Sequence, residues 1–312
     1  MLHLLLLACT APSTSDAEDT GDTGAVAVDT VVAEVSLWTK YKVDSASTLR
    51  GVFASDTSVY VVGSRGQAWV GSATEAWAPY TLPVELTGVD INALWGSGSG
   101  DTLQLAVAAD HGLIGTLNAG VWTVATLGTG ANLAVDGTAF TNLFVAGDNG
   151  IQRFNGSEWA LESEPPVTMN AVHVYEGGAF AAGNEGFVTQ RAGDGTWAES
   201  ETNKAANFFG LNGVGAYDAW VAGDQGVILH WDGTTWAQVA SGTTETLNAI
   251  YAGPGNSLIA VGNDGVTLSY DGTSWRELYN ETNQNLYAVH GVSAAHVWTV
   301  GNGGLAMQYL GE

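Results

Sequence analysis

From about residue 37 onward, apolar and polar residues alternate in short runs, and each run is closed by a cluster of Gly, Asp, Asn, Ser or Thr. A period of two over such runs predicts half-buried strands joined by tight turns. Leu247-Asn248-Ala249-Ile250-Tyr251 and Val266-Thr267-Leu268-Ser269-Tyr270 are two of them. Between them lies a phrase that recurs seven times along the chain, at Val62-Gly63-Ser64-Arg65-Gly66, Ala108-Ala109-Asp110-His111-Gly112, Ala146-Gly147-Asp148-Asn149-Gly150, Ala182-Gly183-Asn184-Glu185-Gly186, Ala222-Gly223-Asp224-Gln225-Gly226, Val261-Gly262-Asn263-Asp264-Gly265 and Val300-Gly301-Asn302-Gly303-Gly304. The final glycines are 46, 38, 36, 40, 39 and 39 residues apart. That period is close to a four-stranded propeller blade. Glycine and Asp/Asn in the phrase are expected to carry the positive φ of a tight hairpin.

A second marker keeps the same period. After each third strand a turn such as Asp271-Gly272-Thr273-Ser274 leads to a tryptophan, and the equivalents are Trp38, Trp77, Trp122, Trp159, Trp197, Trp236 and Trp275. The two series are offset, because the chain opens at the Trp38 strand and ends after a third strand near Leu310. A strand from about Leu37 to Val43 would therefore supply the missing fourth strand of the last blade and leave no open sheet edge. The expected fold is all-β, a seven-bladed propeller of four-stranded blades closed in this way. A solenoid, the competing repeat architecture, gives no reason for complementary termini.

The segments Ser269-Tyr270-Asp271-Gly272-Thr273-Ser274-Trp275, Trp231-Asp232-Gly233-Thr234-Thr235-Trp236 and Phe154-Asn155-Gly156-Ser157-Glu158-Trp159 resemble the Asp-box of sialidase-like propellers, one residue tighter between Asp and Gly. The resemblance spans nearly all of residues 36–312. It is nearest to the noncatalytic group that includes photosystem assembly-factor-like and bacterial surface lipoprotein proteins, and it implies a fold more than a function.

Composition agrees: 42 Gly and 12 Trp with only six Pro suit short strands and turns. The formal charge is −24, from 32 Asp+Glu against eight Lys+Arg. Six of those acids precede Trp38, so the propeller still holds 26 acids against eight bases, or −18. Nucleic acid is thereby a poor partner. The lone cysteine excludes an internal disulfide framework. Leu6-Leu7-Ala8-Cys9 resembles the lipobox of bacterial lipoprotein precursors, with no basic n-region before it. Residues 1–9 then read as a lipoprotein-type signal, 10–34 as a disordered acidic tether and 35–312 as the propeller. Thr10 after the lipidated cysteine implies, by that resemblance, outer-membrane or cell-surface placement. A monomer is expected.

Candidate chemistry is sparse. A sialidase gathers arginines around a carboxylate, whereas Arg153, Arg191 and Arg276 fall on third or fourth strands and are not expected to converge. The six histidines lack zinc spacing, although His173 and His290 occupy matching first-strand positions. The turns have no spaced calcium-loop acids, no phosphate-cradling loop or Gly-x-Ser-x-Gly elbow is evident, and no cofactor is expected.

First strands line a propeller's channel. Their opening residues, Arg50, Asn92, Asn132, Asn170, Phe209, Asn248 and Tyr287, form the candidate ligand ring. Each Asn has an alternative use as a loop cap or a bond to the next blade. An acidic rim is expected from Glu162, Glu164, Glu199, Glu201, Glu245 and Glu281, joined by the turn acids. The leading reading is a lipid-anchored extracytoplasmic propeller that binds a protein or glycan without catalysis. The alternatives are a glycosidase- or lyase-type enzyme with carboxylates at the channel mouth, and an envelope or membrane-complex assembly factor.

Overall fold

The computed structural model describes residues 36–311, apart from 45, 254–256 and 295. Cys9 and the tether lie outside the described residues. The described strands form seven four-stranded antiparallel sheets, the blades of a propeller. Blades 1 to 6 cover residues 49–79, 91–126, 132–163, 169–199, 208–239 and 247–277, each with its strands in chain order. Blade 7 takes its first three strands from residues 286–309. Its fourth is the N-terminal strand Trp38–Lys42, paired with Leu305–Tyr309 from Trp38↔Tyr309 to Lys42↔Leu305. The ring is closed by complementary termini, as the offset of the two sequence markers predicts.

Second strands such as Gly178–Gly183 are buried along their whole length, because neighbouring blades cover both faces. Such strands must read as short continuous apolar runs rather than alternating ones. The hydrophobic core is accordingly divided among the joints, and each main cluster draws its residues from two consecutive blades. The marker tryptophans act there. Trp77, Trp197, Trp236 and Trp275 stand edge-on to Trp298, Phe144, Phe180 and Trp220, each on the second strand of the preceding blade. Edge-to-face pairs set the spacing of blades as well as burying area.

The repeated phrase uses glycine at two places, the first in six of the seven repeats, with Ala109 in the other, and the last in all seven. The first glycine, as at Gly63 or Gly223, is extended, and a Cβ there would collide with the carbonyl of Thr48 or Asn207 just before the inner strand. The last has φ of 67 to 81° in all seven phrases, and a Cβ would meet a backbone carbonyl at the end of the fourth strand or in the connection to the next blade. Positive φ otherwise falls on the residue before the last glycine, as at Arg65, Gln225 and Asp264, and not on the preceding Asp or Asn. Those Asp and Asn side chains serve a different purpose, at the mouth of the channel.

Candidate functional site

Every inner strand repeats a five-residue frame. The first position is buried opposite the residue that closes the second strand, as in Leu49↔Gly63, Met169↔Gly183 and Leu247↔Gly262. The ladder then slips by one residue in every blade, between Leu49 and Gly51, Ile91 and Ala93, Asn132 and Ala134, and so on round the ring. A bulge re-aims its extra residue. The second frame positions, Arg50, Asn92, Leu133, Asn170, Phe209, Asn248 and Tyr287, accordingly line one central cavity of about 500 Å³. The third positions are all Gly or Ala, because inner strands of adjacent blades approach closely there; a Cβ on Gly210 would press on the backbone of Ala249 and Ile250.

Six of the seven sequence-derived ring residues line this cavity, and Asn132 does not. It occupies the buried first position in blade 3, 1% exposed, where its Nδ2 donates to the Leu113 carbonyl, and Leu133 takes the ring place. The first position is apolar in the other six blades, so an asparagine there is mistaken for a ring amide when register is read from composition alone.

The remaining asparagines are committed on their nitrogen side. Asn92 Nδ2 donates to Asp110 Oδ1 and to the Asn132 carbonyl; Asn170 Nδ2 donates to Asn184 Oδ1 and the Phe208 carbonyl; Asn248 Nδ2 donates to Asn263 Oδ1 and the Leu286 carbonyl. In each case one acceptor is the Asp or Asn of the same blade's turn phrase and the other is the next blade's first-position carbonyl. Both amide protons are used, and the Oδ1 acceptor is what Asn170 and Asn248 can still offer a ligand, while Asn92 Oδ1 accepts from Arg50 Nη1 at 3.5 Å. Arg50 is also engaged: its Nη1 donates to Asp90 Oδ2 at 2.7 Å. The Arg65 backbone N–H and the Arg50 guanidinium hold Asp90 below the usual carboxylate range.

The fifth positions make a second belt of joints. Trp95 Nε1 donates to the Gly137 carbonyl, and Tyr251 Oη donates to the Gly291 carbonyl. Asp136 Oδ2 accepts the Val174 N–H, Asn212 Oδ1 accepts the Ala252 N–H, and His290 Nδ1 accepts the Ala54 N–H. All five bonds reach the residue after the fifth position in the next blade, satisfying inner-edge groups that have no ladder partner. Burial pushes His290 down to about 4 despite the Asp136 charge, and pushes Tyr251 up to about 12. His173 instead places Nδ1 3.2 Å from Asp136 Oδ2, and its buried Nε2 meets no partner among the described residues. Of this belt only the two histidines stand out in sequence, by their matched positions; the other members share the place and differ in chemistry.

The rim divides. Glu164, Glu199, Glu201 and Glu245 are exposed, and Glu199 and Glu201 share a hollow with the turn residue Glu185 and with Lys204. Glu281 pairs with Lys40. Glu162 is not a rim acid. It is the bulge residue between Ile151↔Ser163 and Gln152↔Leu161, and its side chain is 17% exposed. There it accepts from Arg191 Nε at 2.6 Å, Arg191 Nη2 at 3.0 Å and Trp197 Nε1 at 3.2 Å, with Arg153 Nη1 3.6 Å away. Arg153 and Arg191 thus do converge, contrary to the reading from strand position, and both guanidinium groups lie over the Phe144 ring. Burial works to raise Glu162, but the hydrogen bonds from Arg191 and Trp197 and the two positive charges hold it below its ordinary value.

No protein-family model matches the sequence, and neither does any curated protein. Solved structures do resemble it. The protein described as YCF48 bound to D1 peptide is 15% identical, with a TM-score of 0.73 over 89% of this chain and 98% of that one. YCF48 from Cyanidioschyzon merolae is 16% identical, TM-score 0.70, over 87% and 98%. A streptogramin B lyase structure is 14% identical, TM-score 0.74, over 87% and 97%. At these identities the likeness shows the propeller fold alone.

Proposed function

We propose that this chain is a noncatalytic propeller that binds a protein partner at the channel mouth, held at a membrane surface by a lipid on Cys9. The observation that carries the binding reading is the state of the carboxylates around the channel. Asp90 is held by Arg50, Asp110 accepts from Asn92, and Asp136 accepts the Val174 N–H. Each is tied to the scaffold, whereas glycosidic chemistry needs two facing carboxyl groups whose environments push their proton affinities apart. A rigid ring of half-buried polar and aromatic side chains suits recognition. The resemblance to a YCF48 structure bound to a peptide favours protein over glycan. The anchor reading rests on Leu6-Leu7-Ala8-Cys9.

The test is site-specific photo-crosslinking in cells. A crosslinker at Phe209, in the mouth, should yield one discrete protein adduct, and one at Thr273, on a 3–4 turn, should not. Equal adducts from both positions would sink the mouth as the binding face. Intact mass of the purified protein tests the anchor: an acylated Cys9 N-terminus supports it, and an unprocessed leader removes it.

A further inference from the structure

The ring of the cavity is chemically lopsided. Blades 4 to 7 contribute Asn170, Phe209, Asn248 and Tyr287 in succession, all half-buried and all lining the cavity. On this arc both asparagines have their amide protons occupied by the scaffold, so each presents an oxygen. An aromatic ring stands on either side of Asn248. Arg50 is the one Lys or Arg among the residues lining the cavity, and it is already paired with Asp90. Deeper in the same cavity the Asp136 carboxylate is 27% exposed. His173 beside it is 8% exposed with its Nε2 unpartnered.

We propose that this arc receives a cationic side chain of a partner protein, a lysine ammonium or an arginine guanidinium, between Phe209 and Tyr287 and against the amide oxygens of Asn170 and Asn248. Acceptor oxygens and aromatic faces together complement an N–H-bearing cation, because the ring quadrupole attracts the charge and the oxygens take its protons. An anion would find neither a free donor from the asparagines nor a cation on the arc. The volume, about 500 Å³, suits an inserted side chain and its immediate backbone. The formal charge of −18 on the propeller would favour the approach of a basic segment. This inference rests on the reading of the mouth as a protein-binding site and names the part of the partner that enters.

A small probe separates the two. Side-chain amide NMR signals of Asn170 and Asn248 would be followed while the intact protein is titrated with Nα-acetyl-arginine N-methylamide, and then with the norleucine and glutamate analogues. Saturable shifts with the arginine probe, at least about ten-fold weaker with norleucine and absent with glutamate, are expected. Phe209→Leu and Tyr287→Leu should each weaken the arginine probe about two- to five-fold, the size of an exposed to half-exposed cation–π contact, with the backbone spectrum unchanged. Equal or tighter binding of the glutamate probe, or no saturable shift with arginine in a natively folded sample, would overturn the proposal. If the probe binds as expected but crosslinking at Phe209 captures nothing, the cation site stands and the protein-partner reading fails. A mouth adduct without probe binding keeps the protein partner and removes the cation site.

Discussion

His290 Nδ1 accepts the Ala54 N–H at 3.1 Å, so a side chain on the inner strand of the seventh blade is tied to the inner strand of the first. The bond requires the ring nitrogen to be unprotonated. Burial holds the folded-state pKa near 4, against an ordinary value of 6.5.

Acid should therefore loosen the ring. A group whose folded pKa lies below its unfolded value contributes full stability above the unfolded pKa and loses it as pH falls. Between pH 6.5 and about 4 this one histidine should cost about 3 kcal/mol. Denaturant unfolding at stepped pH would show the slope, and His290→Gln, which keeps an acceptor without the titration, should flatten it.

Glu162 answers two arginines. Glu162→Ala would leave Arg191 and Arg153 facing each other over Phe144 without a counter-charge. A loss of about 3 kcal/mol is expected, at the low end for a broken buried pair since the site is not fully dry. Thermal unfolding of Glu162→Ala, Arg191→Ala and the double variant would check it; the double should be milder than the two singles summed.

The turn glycines should differ sharply from positive-φ glycines that stand in open space. Gly226→Ala meets the Thr243 carbonyl, while Gly88, at φ +80°, has open space where a Cβ would go. Gly88→Ala should cost only the left-handed strain, about 1 kcal/mol, and Gly226→Ala clearly more. Denaturation midpoints of the two variants compare them directly.

Removing the residues through Val43 should expose the Leu305–Tyr309 strand edge. It should also uncover Tyr309, against which Trp38 packs with ring centroids 5.2 Å apart. An unpaired strand of this kind invites pairing with another chain. Size-exclusion chromatography should show the truncated protein as oligomers or lost to aggregation, and a stable monomer would contradict the closure as a stabilising device.

Blade number, strand order and ring closure were legible because their signals are local. The Gly phrase and the tryptophan each report on a turn or strand within a few residues, and their offset fixes the closure. The mouth was legible only in part. One bulge residue per inner strand carries no signature of its own, so Asn132 and Leu133 can exchange places when the strand is read from sequence, and only the pairing Asn132↔Gly147 separates them. The same holds for Glu162, which its bulge turns from the surface to two arginines.

The sequence by itself determined a closed seven-bladed ring, because turn chemistry, strand periodicity and the split last blade are properties of neighbouring residues. Only the tertiary structure decided which side chains bridge blades. Trp95 and Gly137, or Tyr251 and Gly291, stand about one repeat apart in the chain. Tryptophan, tyrosine, aspartate, asparagine and histidine all fill that one place by offering a donor or an acceptor to the next inner edge. Such a bond is set by the geometry of the closed ring, and no local pattern encodes it.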